Sequence, residues 1–328
     1  MVIQTKNVLS PRERRLWESL LARVGLEPDE QTEQTVLAWD GETLAASGSR
    51  QGNLLKCIAV DPDYRGEDLT AVVLTQLRSE AFRQGHDHLF LYTKPENRRL
   101  FQGLFFYPVA HTQKAALMEN RQSGISDFLT CLPKAGSAGM VGAAVMNCNP
   151  FTLGHRYLIE TAARECDHVY VFVLSENKSR FSAADRLKMV QLGTRDIPNV
   201  TVLPTGPYLI SSATFPTYFL KDREQAPRIH CELDIAVFGK HFVPYFGITH
   251  RYVGTEPLSP LTESYNRTLQ EQLPQYGVQV REIPRLEKEA GVISASGVRA
   301  LLDTGGDIHP FVPQTTYDFL TQGGNDHG

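Results

Sequence analysis

The sequence has few cysteines and lacks the spacings that would pair them or place them around a metal. It contains five cysteines, an odd number, and no C-x-x-C motif, so neither a disulfide framework nor a zinc site is indicated. A long apolar run is also missing. No stretch approaches the length of a membrane span, and the start, "MVIQTKNVLSPRERR", lacks a signal-peptide segment. We therefore expect a cytoplasmic protein with no membrane partner.

An excess of basic residues is absent as well. The chain carries 33 Lys+Arg against 37 Asp+Glu, whereas nucleic-acid binding requires a basic face. We expect no nucleic-acid partner, although a local basic pocket for nucleotide phosphates stays compatible with this balance. The length of 328 residues allows two domains. The segment "LPKAGSAGM" (Leu132–Met140) is typical of a linker, which predicts domains at 1–134 and 140–328.

A strand, a helix and a second strand follow this linker. "VGAAVMN" (141–147) and "HVYVFVLS" (168–175) are short apolar runs typical of buried strands. Between them, "GHRYLIETAARECD" carries apolar residues at helical spacing. This order predicts a βαβ unit with parallel strands, and hence a Rossmann-like α/β domain.

The turn between the first strand and the helix reads "NPFTLGH", with Asn149, Thr152, Gly154 and His155. Such turns lie at the carboxyl edge of the sheet, where ligands bind. Free N–H groups at the helix start favour phosphates, Gly154 allows close approach, and His155 can donate to a phosphate oxygen. The alternative is that Thr152 only caps the helix and that His155 is an ordinary surface residue.

A second helix start with similar chemistry lies in "GVISASGVRALL" (291–302). Ser294 and Ser296 precede or open the helix, and Arg299 follows in it. Two hydroxyls and a guanidinium at a helix start suit the charge on a transferring phosphate.

Two further basic residues come after the second strand, in "SENKSRFSAADR". Lys178 or Arg180 could reach the β- and γ-phosphates of a nucleotide. Alternatively, these residues belong to a solvated loop with no role in binding. Arg186 lies at the start of a helix whose sequence resembles a capping box. We expect Arg186 to orient the site.

Two later segments are predicted as strands, "DIAVFGKHF" (234–242) and "HRYVGTEPLSP" (250–260). Gly239, Gly254 and Glu256 lie at their carboxyl ends and are expected to flank the base and sugar of a nucleotide.

The pattern T-x-G-H followed by I-S-x-S-x-x-R resembles the HIGH-type nucleotidyltransferase superfamily, with Thr152 in place of the first histidine. Together with "VFGKHFVPYFGITHRYVGTEPLSPLTESYNRTLQEQLP", it resembles the citrate lyase ligase family. The resemblance implies that ATP, with Mg²⁺, adenylates acetate, and that the acetyl group moves to the CoA-like arm on the acyl carrier subunit of citrate lyase. His155, Ser296 and Arg299 would be the catalytic donors, and no protein ligand to a metal is expected.

In the front half, "TVLAWD-GE-TLAASGSR" reads as a hairpin, and "VDPDYRGEDLTAVVL" reads as a turn that leads into a helix. In these features the front half resembles the GNAT N-acetyltransferase family, whose coenzyme A loop is similar to "VDPDYRGEDLTAVVL". Asp68 and Thr70 stand where the loop usually has its second and third glycines. A carboxylate repels a pyrophosphate and a Cβ blocks close approach, so we expect a domain that keeps the fold without the acetyl-CoA reaction.

Three other functions remain open on the sequence. The first is an adenylyltransferase that moves AMP onto a phosphorylated cofactor precursor such as phosphopantetheine. The second is an acetyl-CoA-dependent N-acetyltransferase, against which Asp68 and Thr70 count. The third is a non-catalytic nucleotide sensor.

Overall fold

The computed structural model describes residues 1–136, 139–211, 214–220, 222–255, 260–288 and 291–322. The chain forms two units. The first contains Met1–Gly124 and Pro216–Leu233, and the second contains Ile125–Phe215 and Asp234–Gly328. This division differs from the predicted single boundary at Leu132–Met140, because a later segment of the chain packs with the first unit.

The first unit is built on a mixed sheet of seven strands. The strands are Val2–Lys6 (β1), Gln34–Asp40 (β2), Thr43–Gln51 (β3), Leu54–Val60 (β4), Phe90–Thr93 (β5), Tyr107–His111 (β6) and Ala116–Glu119 (β7). Their order in the sheet is β1-β2-β3-β4-β5-β7-β6. Neighbours are antiparallel except β4 and β5, which are parallel. The predicted hairpin is confirmed by β2 and β3.

Three helices accompany this sheet: Pro11–Arg23 (α1), Leu69–Arg83 (α2) and Arg98–Gly103 (α3). Helix α2 packs on the sheet through buried side chains that include Val73 and Leu77. Gly48 of β3 lies under them, where a Cβ would be 2.6 Å from Val73 Cγ1. The absence of a side chain at this glycine therefore lets the helix approach the sheet closely.

The second unit is built on a parallel sheet of five strands. The strands are Val141–Met146 (β8), His168–Val173 (β9), Val200–Pro204 (β10), His250–Gly254 (β11) and Gln279–Ile283 (β12). Their order, β10-β9-β8-β11-β12, reverses between β8 and β11. Ligands of open parallel sheets bind outside the carboxyl ends of the strands at such a reversal. The predicted α/β fold class, with its βαβ unit, is confirmed.

Further α-helices and a two-stranded hairpin lie later in the chain. The helices are Gly124–Thr130 (α4), Leu153–Glu165 (α5), Ala183–Thr194 (α6), Ala226–Val237 (α7), Val243–Phe246 (α8), Pro260–Gln272 (α9), Ala295–Thr304 (α10) and Gln314–Gln322 (α11), and Glu287–Lys288 (β13) pairs with Gly291–Val292 (β14). Among the described residues, no helix is long and apolar enough to cross a membrane.

The strand predicted at 234–242 is wrong. Helix α7 continues to Val237, and a π-helical turn covers Phe238–Phe242. Phe238, Phe242 and Phe246 recur every fourth residue on one buried face and pack on Phe172 of β9. The run resembles a strand because it is short and apolar, whereas the helical repeat becomes visible only when Phe246 is included.

Candidate active site

The turn after β8 places a threonine and a histidine in a reciprocal cap at the start of α5. Thr152 is the N-cap residue, and its Oγ1 accepts from the main-chain N–H of His155 at 3.4 Å. In return, the main-chain N–H of Thr152 donates to His155 Nδ1 at 3.1 Å. Thr152 is therefore a helix cap, as the alternative interpretation of this turn in the sequence proposed. The same cap also fixes the direction of the His155 ring.

These contacts determine the protonation of His155. Because Nδ1 accepts a hydrogen bond from a backbone N–H, the hydrogen of the neutral ring lies on Nε2. Burial, with a smaller contribution from the positive charge of Arg285, lowers the His155 pKa to about 4. At neutral pH the side chain is thus an uncharged imidazole. Its Nε2–H makes no hydrogen bond within the described part of the chain and is available as a donor.

A hydroxyl pair opens the other predicted helix start, that of α10. Ser294 is the N-cap residue, and its Oγ accepts from the main-chain N–H of Gly297 at 3.0 Å. Ser296 Oγ lies 3.2 Å from Ser294 Oγ, and Ser296 is exposed. Ser294 is therefore engaged in capping, while Ser296 presents a hydroxyl at the surface of the helix start.

The structure brings these two helix starts together. Arg299 of α10 donates from Nη1 to the main-chain oxygen of Asn149 at 2.6 Å. The peptide bond between Asn149 and Pro150 is cis. At Gly154, a Cβ would lie 3.4 Å from the main-chain oxygen of Ile293, so a glycine here permits a close approach of the segment that leads into α10. The two helix starts that were predicted to bind phosphates therefore lie side by side.

Arg186 is fully buried and holds two loops of this edge in place. Its Nη1 donates to the main-chain oxygen of Asn147 at 2.8 Å and to the side-chain oxygen at 2.6 Å. Its Nε donates to Phe181 O at 3.2 Å, and its Nη2 donates to Glu176 O. The guanidinium thus ties the turn after β8 to the loop after β9. Asn149 adds to this link, since its Oδ1 accepts from the main-chain N–H of Phe181 at 3.3 Å.

Arg285 is a basic residue of the site that the sequence reasoning missed. It follows β12, and it is half-buried. Its main-chain N–H donates to Thr255 Oγ1 at 3.1 Å and its Nε to Thr255 O at 2.9 Å. The charge of Arg285 acts on His155. Its position just after a strand could have identified it in the sequence, because the carboxyl ends of parallel strands lie at one edge of the sheet.

The other predicted residues occupy different surroundings. Lys178 is exposed in the loop after β9, and Arg180 pairs with Asp303 of α10. Gly254 ends β11, and its carbonyl accepts from Asn266 Nδ2 at 2.9 Å. Glu256 lies outside the described residues.

Gly239 does not lie at a strand end, because the strand predicted for it is a helix. A Cβ at Gly239 would lie 2.3 Å from the ring of Tyr276. This glycine is buried and is required for packing against that ring. We therefore leave Gly239 out of the site.

Known proteins resemble this chain over most of its length. A family model described as the citrate lyase ligase C-terminal domain matches residues 141–320. The ligase of citrate (pro-3S)-lyase from Klebsiella pneumoniae is 42% identical over 308 residues, which are 92% of this chain and 90% of that protein. The chain belongs to the citrate lyase ligase family.

Two other citrate lyase ligases have similar relationships to the chain. The protein of that name from Haemophilus influenzae is 38% identical over 94% of this chain and 95% of its own. That from Escherichia coli K12 is 39% identical over 85% of this chain and 82% of its own. The predicted family is therefore confirmed, and with it the enzyme class.

Solved structures resemble parts of the chain more distantly. The match to an acyl-CoA N-acyltransferase from Pseudomonas aeruginosa covers 37% of this chain and 99% of that protein, at 15% identity and a TM-score of 0.32. The match to a bifunctional NMN adenylyltransferase/ADP ribose pyrophosphatase from Francisella tularensis covers 56% of this chain and 49% of that protein, at 16% identity and a TM-score of 0.39. At TM-scores this low, the fold assignment depends on the sheet topology described above.

Proposed function

We propose that this citrate lyase ligase joins acetate to the thiol of the CoA-like arm on the acyl carrier subunit of citrate lyase, with ATP as the energy source. The observation that carries the proposal is the meeting of the two helix starts at the strand-order reversal, through Arg299 and Asn149. Basic or donor groups come from three segments of the second unit, namely His155 at the start of α5, Arg299 in α10 and Arg285 after β12. They suit the phosphates of a nucleotide.

In the first step, a carboxylate oxygen of acetate attacks the α-phosphorus of ATP. A new P–O bond forms to acetate, the bond from the α-phosphorus to the bridging oxygen breaks, and pyrophosphate leaves with that electron pair. No proton transfer is needed, because acetate is already ionised at neutral pH. The protein therefore has to position the two reactants and stabilise negative charge that spreads over the phosphates.

His155 and the first turn of α5 provide donors for this charge. The ring presents Nε2–H, while the N–H groups at the helix start carry the positive end of the helix dipole. Because Thr152 holds Nδ1 as an acceptor, the ring is oriented before ATP binds. A preorganised neutral donor costs no reorganisation when the transition state forms.

Arg299 and Ser296 supply donors from the other helix start. Arg299 donates to Asn149 O through Nη1, and its remaining N–H groups can donate to phosphate oxygens. Ser296 adds a hydroxyl. Arg285 adds a second positive charge from the loop after β12. Lys178 serves the β- and γ-phosphates, and the backbone at Gly254 flanks the adenosine.

In the second step, the thiol of the carrier arm attacks the carbonyl carbon of acetyl-adenylate. A C–S bond forms, and the bond between the carbonyl carbon and the oxygen that bridges it to phosphorus breaks. AMP leaves with that oxygen and its electron pair, and the thiol proton passes to solvent. The products are the acetyl thioester and AMP.

Mg²⁺ enters as part of the MgATP substrate. Among the described residues there is no group of three or more His, Cys, Asp or Glu side chains that could hold a metal. The ion would be held by phosphate oxygens and water, which is how Mg²⁺ is usually bound beside nucleotides. It neutralises part of the charge on the leaving pyrophosphate.

The proposal is tested by isotope exchange. The enzyme is incubated with ATP, Mg²⁺ and labelled pyrophosphate, with and without acetate and with no carrier present. We expect label to enter ATP only when acetate is added. Exchange that requires phosphopantetheine in place of acetate would identify an adenylyltransferase instead and would contradict the proposal.

A further inference from the structure

The ring of Phe151 is completely buried, although this residue belongs to the turn that carries Thr152 and His155. Phe151 immediately precedes the N-cap residue Thr152. Its ring lies nearly parallel to that of His155, with an angle of 13° between the planes and 5.9 Å between the ring centroids. This separation falls within the range of about 4.5–7 Å that is usual for offset aromatic pairs. The phenyl ring therefore flanks one face of the imidazole.

Gly193 of α6 provides the space for this phenyl ring. It is buried and lies near the end of the helix. A Cβ at Gly193 would lie 2.5 Å from Cε1 and 2.7 Å from Cδ1 of Phe151, which is closer than carbon atoms approach without a bond. Glycine is also a poor helix former compared with alanine. The packing of the ring, and not the helix, therefore requires a glycine at this position.

Helix α6 supports the turn at a second point on the same face. The buried residues of this helix recur at helical spacing from Arg186 to Gly193. Arg186 donates to the main-chain oxygen of Asn147 at 2.8 Å, and Gly193 accommodates Phe151 about two helical turns later. The helix therefore contacts the turn at both ends of the segment 147–151.

A third contact fixes the end of α6 against the start of α5. Arg156, the residue after His155, donates from Nη1 to the main-chain oxygen of Gly193 at 2.6 Å. Its Nη2 donates to Asp196 Oδ2 at 2.6 Å. A planar guanidinium that makes both contacts defines the geometry more closely than a single ammonium would. The distance from Gly193 to the first turn of α5 is therefore fixed, and with it the place of the phenyl ring.

The cap at Thr152 leaves one motion of the imidazole open. The ring is attached at Cγ, and its Nδ1 accepts from the main-chain N–H of Thr152 at 3.1 Å. Because Cγ and Nδ1 are neighbouring ring atoms, the ring can still tilt about the line through them, and Nε2–H would move most. Phe151 occupies the space on one face of the ring, which limits this tilt.

We propose that Phe151 is a positioning residue of the reaction. Its ring, which packs into the space at Gly193, holds the imidazole of His155 in the orientation that directs Nε2–H to the phosphates. The inference rests on the proposed function for the role of His155 as a donor. The orientation of the imidazole is a property of the folded chain, and it is measurable without the reaction.

The first test determines the orientation by ¹⁵N NMR, because the shifts of the ring nitrogens report which of them carries the hydrogen. The full chain is labelled, and His155→Gln identifies the signal. At neutral pH the wild type should show only the Nε2–H form. Phe151→Leu should show a mixture of the two neutral forms, since a tilted ring loses the hydrogen bond at Nδ1. A mixture in the wild type, or an unchanged pattern in Phe151→Leu, would overturn the inference.

Phe246→Leu is the matched control for this substitution. Phe246 is a buried phenylalanine of α8 whose ring packs on Tyr170, with 4.5 Å between the centroids. The control removes the same atoms from another part of the core of the second unit. It should keep the wild-type NMR pattern and the wild-type exchange rate within about twofold, whereas losses equal to those of Phe151→Leu would show a general effect of core substitutions and contradict the proposal.

The second test separates rate from stability. Phe151→Leu should lower kcat for acetate-dependent pyrophosphate exchange by about tenfold or more, since a misplacement of about 1 Å can cost roughly a hundredfold. KM for ATP should stay within about twofold. In Gly193→Ala/Phe151→Leu, the added methyl group fills the space that Cε1 leaves. The urea midpoint should therefore rise relative to Phe151→Leu, while kcat stays low because no ring flanks the imidazole. Recovery of kcat together with stability would show that Phe151 only fills space.

Folding and the proposed function are checked in parallel. If circular dichroism shows that Phe151→Leu does not fold, the double variant, in which the lost volume is partly restored, takes its place in both measurements. Absence of acetate-dependent exchange in the wild type indicates failure of the proposed function, and the NMR pattern then decides this inference alone. Intact exchange with an unchanged NMR pattern in the variant indicates failure of this inference alone.

Discussion

Arg299 donates a hydrogen bond from Nη1 to the main-chain oxygen of Asn149 at 2.6 Å. This contact joins two segments that lie 150 positions apart in the sequence. It places the start of α10 against the turn that leads into α5. One nitrogen of the guanidinium thus fixes the turn, and in the proposed mechanism the other nitrogens donate to phosphate oxygens.

Replacing Arg299 should separate these tasks. Arg299→Ala is expected to slow acetyl-adenylate formation by about a hundred- to a thousand-fold, the usual cost of removing one such donor. Arg299→Lys should not restore the rate, because a single ammonium cannot bind Asn149 O and the phosphate as a planar fork does. Single-turnover quench at saturating ATP measures the rate. Near wild-type rates for Arg299→Lys would show that a point charge suffices.

His155 should give the rate an unusual pH dependence. Its pKa is lowered to about 4, so the donor stays neutral down to that pH. The exchange rate should therefore show no inflection near pH 6.5 that depends on His155. His155→Gln, which keeps a donor and an acceptor, is the matched variant. An inflection near pH 6.5 in the wild type that disappears in His155→Gln would contradict the assignment.

The same shift predicts a direction for stability. Between its ordinary pKa near 6.5 and its folded value near 4, the unfolded state binds more protons than the folded state. The free energy of unfolding should therefore fall as pH decreases through this window. Urea unfolding of wild type and of His155→Gln at several pH values measures the effect, and a smaller slope is expected in the variant. Equal slopes would show that His155 does not contribute.

Arg285 should influence the ring through its charge. Because this charge lowers the His155 pKa, Arg285→Gln is expected to raise it, and NMR of the histidine ring protons follows the titration. Arg281 is exposed on β12, so Arg281→Gln serves as a control that should leave the titration unchanged. An unchanged His155 pKa in Arg285→Gln would remove Arg285 from the site.

Gly239 should prove to be a packing residue. Gly239→Ala places a methyl group 2.3 Å from the Tyr276 ring, so we expect a loss of about 1–3 kcal/mol in the free energy of unfolding. The loss should shrink in a Tyr276→Leu background, which removes most of the ring. Urea unfolding measures both, and KM for ATP should not change. A raised KM for ATP with unchanged stability would restore the predicted role in nucleotide binding.

The sequence predicted those parts of the site that depend only on the pattern of residues close together in the chain. The turn at Thr152, Gly154 and His155 and the helix start at Ser294 each lie between elements whose periodicity is clear. Whether the two helix starts meet depends on the order of the strands in the sheet. The motifs alone do not contain this order. The family resemblance supplied that expectation.

Other features depend on contacts that local pattern does not contain. Arg285 becomes part of the site because β11 and β12 are neighbours in parallel register, with Gly254 opposite Ile283. Phe238 and its successors form a helix because their buried face packs on β9. Pro216–Leu233 joins the first unit, and no change in composition marks this segment. In each case, the deciding partner is distant in sequence.

The central claim, that acetate is activated by attack on the α-phosphorus of ATP, is tested most directly by oxygen transfer. Acetate labelled with ¹⁸O at both carboxylate oxygens is incubated with enzyme, MgATP and the thiol-bearing carrier, and the products are analysed by mass spectrometry. Because the thiol displaces AMP at the carbonyl carbon, one ¹⁸O atom should appear in each AMP formed. Unlabelled AMP, or label in inorganic phosphate instead, would contradict the account.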